Sequence, residues 1–361
     1  MNNKKVKFGV FGLVRGKGIS ACIADVDGAE LTAVCDRDSQ KLSEVSQWLK
    51  KEKKAEAFKC VESFDELLSC DIDAVFIAND ANCHVEYVVK AMEAGKHVLS
   101  EIPAVSSEEE ARVLKKAVAD HPHLKYMCGE NSLYWAFVQG WKSLYNEGKF
   151  GDVVFARGEY LHARYFDKQG NQNPESGHWR LAIPAIEYLT HTLGPLLYIL
   201  DDRCISVTCA EPDPVAADGR TAPANGMAVF RTQKGTAINV TICFGAYVGF
   251  DHNFSLYGTK GMIETDNTKS FFDAHSFARF IDVPDTNKEK LEIPVKLEMP
   301  GFGKDGHGGA DERMIKAFVE CVANDTESPI DVDMAIRMSL PGIYAHLSAQ
   351  NGGQVMTIPD I

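Results

Sequence analysis

The chain has 361 residues, 45% hydrophobic and 25% charged, with a formal net charge of −13. That length exceeds one ordinary core and predicts two domains. The acidity excludes nucleic acid and anionic membranes as partners, because both need a basic face.

Met1-Asn2-Asn3-Lys4-Lys5 leads straight into an apolar run, which leaves no room for a signal peptide. No apolar run reaches the ~18 residues of a membrane span, so the expected location is cytoplasmic. The ten cysteines are scattered without a Cys-x-x-Cys pair and read as buried free thiols. No two histidines or carboxylates show helical ligand spacing, so no metal is expected.

Val6 to Phe11 predicts a strand, followed by the glycine-rich turn Gly12-Leu13-Val14-Arg15-Gly16-Lys17-Gly18 and a helix from Ile19. Strand, glycine turn and helix form the context in which backbone amides approach a pyrophosphate at a helix N-terminus. Val14 stands at the middle glycine of G-x-G-x-x-G, so close approach there must be made differently. Leu31 to Cys35 predicts the next strand, ending at Asp36, where an acid binds adenosine ribose hydroxyls. Arg37 would suit a 2′-phosphate instead. The cofactor expected is NAD, with NADP as the alternative.

Alternation of strands and helices continues. A lysine-rich helix follows from Ser39, and a short helix from Ser63. A buried strand spans Asp73 to Ala78, and the loop Asn79 to His84, with Asn82 within it, lies where doubly wound sheets bind ligands. A helix from Val85 to Ala94 stops at Gly95, and a strand at His97 to Ser100 ends in Glu101-Ile102-Pro103. A helix from Ser106 and a strand at Lys125 to Cys128, ending at Gly129-Glu130-Asn131, complete a parallel α/β domain over residues 1–129.

Residues 130–361 predict an α+β domain. Strands are expected near 153–160, 204–210, 226–231, 236–244, 253–257 and 261–264. Consecutive strands without crossover helices imply a mostly antiparallel open sheet. Helices are expected at Ala310 to Asn324 and Val332 to Gln350. Pro184 to Leu193 predicts a further helix, with Gly194-Pro195 as its stop. On that helix Tyr188 and His191 are three apart and share a face, where a phenol and an imidazole can take a proton from a hydroxyl. The polar segment Ala163 to Ser176 reads equally as a lid or as plain surface. His307, among glycines, either reaches a site or only caps the helix that follows.

The chain resembles the glucose-fructose oxidoreductase / inositol dehydrogenase / MocA family. The likeness rests on the glycine turn with Asp36, on Asp73-Ala74-Val75-Phe76-Ile77-Ala78-Asn79 with His84, and on Ala94-Gly95-Lys96-His97-Val98-Leu99-Ser100-Glu101. It implies an N-terminal Rossmann domain. Most members continue the last block with Lys-Pro; here it is Ile102-Pro103, so the usual lysine is missing. The narrower resemblance is to glycoside hydrolase family 109, the NAD-dependent α-N-acetylgalactosaminidase-like branch, which also carries an apolar residue there. It extends to Glu130-Asn131, Glu159-Tyr160-Leu161-His162, Trp179-Arg180, Tyr188 to Pro195, Gly306 to Asp311 and Ile358-Pro359-Asp360. Leu189 departs from that branch's proline.

By resemblance Asp36, His84, Glu101 and Asn131 contact NAD, and Tyr160, Arg180, Tyr188 and His191 contact a sugar. Tyr188 and His191 are assigned to proton handling, with His162 as a second acid/base and His307 near the substrate. Gly12, Val14, Arg15, Gly16, Arg37, Asn79 and Asn82 complete the expected cofactor set. The expected activity is hydride transfer from a hydroxyl of a sugar, glycoside or polyol. The alternatives are a redox-neutral NAD-dependent glycosidase (oxidation at carbon 3, elimination, hydration, reduction) and a non-catalytic NAD(H) sensor. A homodimer or homotetramer is the expected assembly.

Overall fold

A computed structural model describes residues 5–52, 57–162, 181–212, 221–246, 250–266, 275–281, 291–294 and 306–361. The chain divides into two compact units. The first comprises Met1–Asn131, Gly301–Ile336 and Ile361, and the second Ser132–Pro300 and Arg337–Asp360.

The first unit is built on a six-stranded sheet. Its strands are β1 (Val6–Phe11), β2 (Ala29–Cys35), β3 (Lys59–Val61), β4 (Ala74–Ile77), β5 (His97–Ser100) and β6 (Tyr126–Cys128). They lie in the order β3-β2-β1-β4-β5-β6, every pairing parallel. Continuous apolar runs suit strands covered on both faces, and all four residues of β4 are buried. The helices begin on short polar caps. Ser63 and Glu66 form a reciprocal capping box at α3 (Phe64–Leu68), and Ser107 accepts from the Glu110 amide at α5 (Glu108–Asp120).

The sequence reading drew one cut, between residues 129 and 130. The structure returns residues 301–336 to the first unit. The helix Ala310–Asn324 packs there through Phe318, whose ring lies 5.8 Å from that of Phe8 in the core of β1. An amphipathic helix reads alike whichever sheet it covers, so sequence order alone does not assign it.

The helix after β1 starts earlier than the sequence suggests, at Leu13 rather than Ile19, and runs to Asp25 as α1. The glycines therefore occupy its first turns instead of a preceding loop. Gly12 has φ +89°, and a Cβ there would come within 2.5 Å of the Ala78 carbonyl oxygen. A Cβ on Gly16 would meet Val10 at 2.7 Å. These two positions need glycine, one for backbone conformation and helix–strand clearance, the other for clearance alone.

Among the described residues the second unit carries nine strands: β7 (Val153–His162), β8 (Cys204–Ala210), β9 (Asn225–Thr232), β10 (Ala237–Cys243), β11 (Phe250–Gly258), β12 (Gly261–Thr265), β13 (His275–Phe280), β14 (Leu291–Pro294) and β15 (Met356–Thr357). Their order is β14-β13-β12-β11-β7-β10-β9-β8-β15. The pairings are antiparallel except β7 with β10, which run parallel. One face packs on Phe230, Ile238, Val240, Ile242, Phe254 and their neighbours.

The expected stop at Gly194-Pro195 is not where that helix ends. A 3-10 turn (Ala185–Tyr188) leads through Leu189 into a helix from Thr190 to Leu200, with Pro195 inside it. Leu193, Leu196, Leu197, Ile199 and Leu200 are buried along that helix, and their burial outweighs the one backbone bond proline cannot donate. Asp201, at φ 48°, closes the helix instead.

Candidate functional site

Two constellations emerge, one in each unit. In the first unit Asp36, at the end of β2, accepts from the Leu13 amide at 2.8 Å through one carboxylate oxygen and from the Asp38 amide at 3.0 Å through the other. The acid chosen from sequence as a ribose ligand thus also fixes the first turn of α1. Arg37 is nearly fully exposed, 3.7 Å from Asp80. Val14 is 64% exposed and Asn82 is exposed.

Arg15 is the centre of an ion network rather than an open cationic arm. Its Nε donates to Glu101 at 2.7 Å, and its two Nη atoms donate to the carboxylate of Asp311 at 2.8 and 2.7 Å. Asp311 also accepts from Asn131 Nδ2 at 2.8 Å and lies 3.1 Å from His307 Nδ1. Burial alone would raise the Asp311 pKa, but the Arg15 charge and the bonds from Arg15 and His307 hold it well below the usual carboxylate range. Burial likewise opposes the charge on Arg15, and Glu101 and Asp311 outweigh it.

His307 sits at φ 59°, the left-handed region, followed by Gly308 and Gly309 at positive φ. Holding a non-glycine residue there costs about 1 kcal/mol or more, and the contact with Asp311 offsets that cost. The His307 ring reaches the Arg15 network through Asp311, while the N-cap of the helix at Ala310 is Gly309, with no side-chain cap bond.

His84 is fully buried. Its Nδ1 lies 2.9 Å from the Pro103 carbonyl and its Nε2 3.2 Å from the Asn79 carbonyl. Burial lowers its pKa, so a neutral ring donates to one carbonyl and ties the loop after β4 to the segment after β5. Ile102, where the resembled family carries lysine, is 3% exposed.

The residues of this unit fit a dinucleotide. Gly12 keeps side-chain bulk away from the turn at the sheet's C-terminal edge. Asn79 Oδ1 and Asn131 Oδ1 are buried without a hydrogen-bond partner among the described residues, a state that costs free energy until a ligand or water supplies a donor.

In the second unit the chemistry gathers around Tyr160. Strand register places His252 of β11 directly across from Tyr160 of β7. Their rings stack at 4.3 Å between centroids and 15° between planes. His191 meets Tyr160 edge-on at 5.7 Å and Tyr188 edge-on at 5.5 Å. Phe244 closes on both tyrosines, and Trp135 stands edge-on to His252 at 4.8 Å. Tyr160, Tyr188 and His252 are buried; His191 and His162 are partly exposed. The sequence-predicted pair Tyr188 and His191 is therefore brought together, with Tyr160 beside both and His162 5.7 Å from Tyr160. Arg180 and the segment Ala163 to Ser176 lie outside the described residues.

His252 and Trp135 escaped the sequence reading. The available signal was alternation: His252 and Phe254 share a strand face, and Phe254 belongs to the core. All ten cysteines are free thiols, seven of them buried, as expected. Among the described residues no group of His, Cys, Asp or Glu could hold a metal, and no helix is long and apolar enough to cross a membrane.

Comparison with known proteins finds matches to both parts of the chain. Residues 6–129 match the NAD-binding Rossmann fold of the oxidoreductase family GFO/IDH/MocA, and residues 138–264 match a GFO/IDH/MocA C-terminal domain. Residues 226–361 match the C-terminal domain of glycosyl hydrolase 109. Among similar curated proteins are a glycosyl hydrolase family 109 protein of Solibacter usitatus, 26% identical over 99% of this chain and 88% of its own, and glycosyl hydrolase family 109 protein 4 of Phocaeicola vulgatus, 26% identical over 98% and 78%. Among solved structures, a levoglucosan dehydrogenase in complex with NADH and L-sorbose shares the fold at TM-score 0.85 and 19% identity, covering 99% of this chain and 100% of that one. The scyllo-inositol dehydrogenase of Lactobacillus casei, with NAD(H) and scyllo-inositol, does so at 0.76 and 21%, covering 98% and 99%. With both Rossmann and C-terminal matches in order along one chain, the protein belongs to the GFO/IDH/MocA family of NAD-binding oxidoreductases.

Proposed function

We propose that the protein oxidises a hydroxyl of a sugar, glycoside or polyol, with Tyr188 and His191 handling the hydroxyl proton. The observation that carries this reading is the packing of Tyr188, His191 and Tyr160 into one cluster in a chain whose first unit is an NAD-binding Rossmann domain. NAD, held through Gly12, Asp36, Asn79 and Asn131, supplies the hydride acceptor when bound. Arg15 and Glu101 brace that site through Asp311. His191, partly exposed, is the base that takes the proton, and the Tyr188 phenol holds the oxygen as charge develops on it. Tyr160 orients both rings, and His162 and Arg180 complete the substrate contacts. Ile102 has no proton to give, so the proton path runs through the second unit's side chains.

A second reading has a specific observation in its favour: residues 226–361 match the glycosyl hydrolase 109 domain, and relatives of that name match nearly the whole chain. In it the same oxidation acidifies the neighbouring C–H, an aglycone is eliminated, and water and hydride are returned with no net change in NAD. One experiment separates the two. A nitrophenyl glycoside panel is assayed for aglycone release and, in parallel, free sugars and polyols are assayed for NADH formation. Aglycone release without NADH supports the glycosidase, and steady NADH formation supports the dehydrogenase. Tight NAD binding with neither activity would leave only an NAD(H)-binding sensor and sink the proposal.

The assembly we infer is a homo-oligomer formed through the outer face of the second sheet, where Phe155, Met227 and Val229 are 39%, 59% and 47% exposed. Exposed apolar residues on the open face of a sheet favour burial against a second copy. Ten free cysteines fit a reducing compartment such as the cytoplasm.

A further inference from the structure

The turn that carries Tyr188 holds a second group of titratable side chains. Glu187 precedes Tyr188 on the 3-10 turn Ala185–Tyr188. The long helix Val332–Gln350 crosses that turn through Gly342, so closely that a Cβ at Gly342 would lie 2.8 Å from the Glu187 Cα and 3.0 Å from the Ile186 carbonyl oxygen. His346 lies one helical turn beyond Gly342, on the same face. Its Nδ1 is 2.7 Å from Glu211 Oε2, just past β8. The Glu211 side chain is 5% exposed, and its second oxygen is buried without a partner among the described residues. Two acids and one imidazole thus share a space behind the proposed proton-handling phenol, and nothing in the proposed chemistry uses them.

We propose that Glu187 is a positioning residue: in its neutral form it seats the turn carrying Tyr188 beside the Glu211–His346 pair, and ionisation unseats it. The inference rests on the reading of Tyr188 as a proton-handling group. The charge count explains the direction. His346 gives its positive charge to Glu211 through their hydrogen bond, which raises the His346 pKa despite burial. A second carboxylate beside that pair is then only partly hydrated and, among the described residues, has no cation of its own. Burial first, and the Glu211 charge after it, push the Glu187 carboxyl up to about 7, against the lowering effect of His346. Among the described residues, the other elements against the turn add no compensating charge. β9 brings Gly226 against Ile186 and carries only Arg231, on its exposed face, and β10 has no charged residue. The crossing helix carries Asp333 and Arg337 besides His346. Because Gly342 leaves no slack behind the turn, a charged Glu187 that moves toward water carries Tyr188 with it.

The test combines a rate profile with a readout independent of turnover. The protein is labelled with 13C at the Glu carboxyl and Tyr ring carbons, and the resonances are assigned through Glu187→Gln and Tyr188→Phe. It is then titrated from pH 5 to pH 9 while kcat and kcat/KM are measured on the substrate that the glycoside and polyol panel identifies. The expected result is one midpoint near 7 shared by the Glu187 carboxyl and the Tyr188 ring. Above it kcat should fall by about tenfold or more, the size that a small misplacement of a catalytic group produces. Both the Tyr188 shift and the alkaline fall should vanish in Glu187→Gln. Gly342→Ala, which pushes the same turn by contact, should lower kcat at every pH and displace the Tyr188 resonance without titrating. A Tyr188 resonance that ignores Glu187→Gln, while Tyr188→Phe still abolishes turnover, would overturn the inference and leave the catalytic reading intact. A shared midpoint with turnover indifferent to Tyr188→Phe would overturn the catalytic reading alone.

Discussion

The Arg15–Asp311 fork invites a double-mutant cycle. Asp311→Ala removes the acceptor of both Arg15 Nη atoms and of Asn131, bonds of 2.7 to 2.8 Å around a side chain that is 3% exposed. Arg15→Met removes the only cation those bonds show against a buried carboxylate. Each single change leaves a desolvated charge without its partner, which costs about 3–5 kcal/mol. Arg15 is a quarter exposed and keeps Glu101, so Asp311→Ala belongs at the lower end of that range and Arg15→Met at the upper. The double variant Arg15→Met/Asp311→Ala leaves neither charge behind and should cost less than the two singles together, with a coupling of about 2 kcal/mol or more. Urea unfolding at pH 7, followed by tryptophan fluorescence with and without NAD, measures all four corners.

The pH dependence adds a second axis to that cycle. Asp311 is held below its unfolded pKa, so its contribution is fully present above about pH 4, the unfolded carboxylate value. It is lost only as pH falls further, through the depressed folded value. The gap between wild type and Asp311→Ala should therefore stay constant from pH 9 to about pH 5 and narrow only in stronger acid. Additive singles of less than about 1 kcal/mol each, or a gap that closes near pH 6, would show that the network is a surface contact and not a buried brace.

Other outcomes follow from the same geometry. His191→Ala and Tyr188→Phe should each lower kcat by about 10²-fold or more with NAD affinity unchanged, the usual size of an acid/base effect; near-wild-type turnover in both would remove them from the mechanism. Gly12→Ala should abolish NAD binding measured by calorimetry, since its Cβ would overlap the Ala78 carbonyl at a φ of +89°; retained affinity would show that the turn can rearrange. Glu187→Gln should leave stability unchanged at pH 4 and raise it above pH 7. The folded pKa is raised, so the wild type loses stability as pH climbs from 4.5 to about 7, by about 3 kcal/mol at most and less for a partly exposed side chain. Phe155→Asp should shift the molar mass measured by light scattering toward the monomer, and an unchanged mass would rule out the open sheet face as the interface.

How much of this was legible in the sequence depends on the range of the interaction. Strand β4 and the helices Ala310–Asn324 and Val332–Gln350 are set by local apolar patterning, and they appear where the sequence places them. The start of α1 was misplaced because glycines read as a loop, whereas Gly16 serves close packing against Val10 inside a helix. Pro195 read as a stop because the rule for proline is local, while the burial that carries the helix past it is not. Tyr188 and His191 could be paired from spacing alone. Tyr160 and His252 could not, since their stack exists only through the β7–β11 register, two strands separated by 87 residues or more at their near ends, Leu161 pairing with Asp251 and Tyr160 with His252. The parallel pairing of β7 with β10 was hidden for the same reason.

Polar groups in the two units are treated differently, and the difference bears on mechanism. In the first unit the charges of the Arg15 network are matched: Arg15 by Glu101 and Asp311, and Asp311 by three neighbours. Matched charges hold position and do not move protons at neutral pH, because a strongly depressed carboxylate and a raised guanidinium are both far from titrating. In the second unit the titratable rings lie in an aromatic surround, and the acid on the turn that carries Tyr188 is pushed up to about 7. A carboxyl raised in that way can gain and lose a proton near neutral pH. The proposed division of labour follows this contrast: the first unit holds the cofactor, and the proton chemistry we assign to Tyr188 and His191 belongs to the second. Ile102 fits that division, because a buried hydrocarbon stands where the resembled family carries a titratable amine.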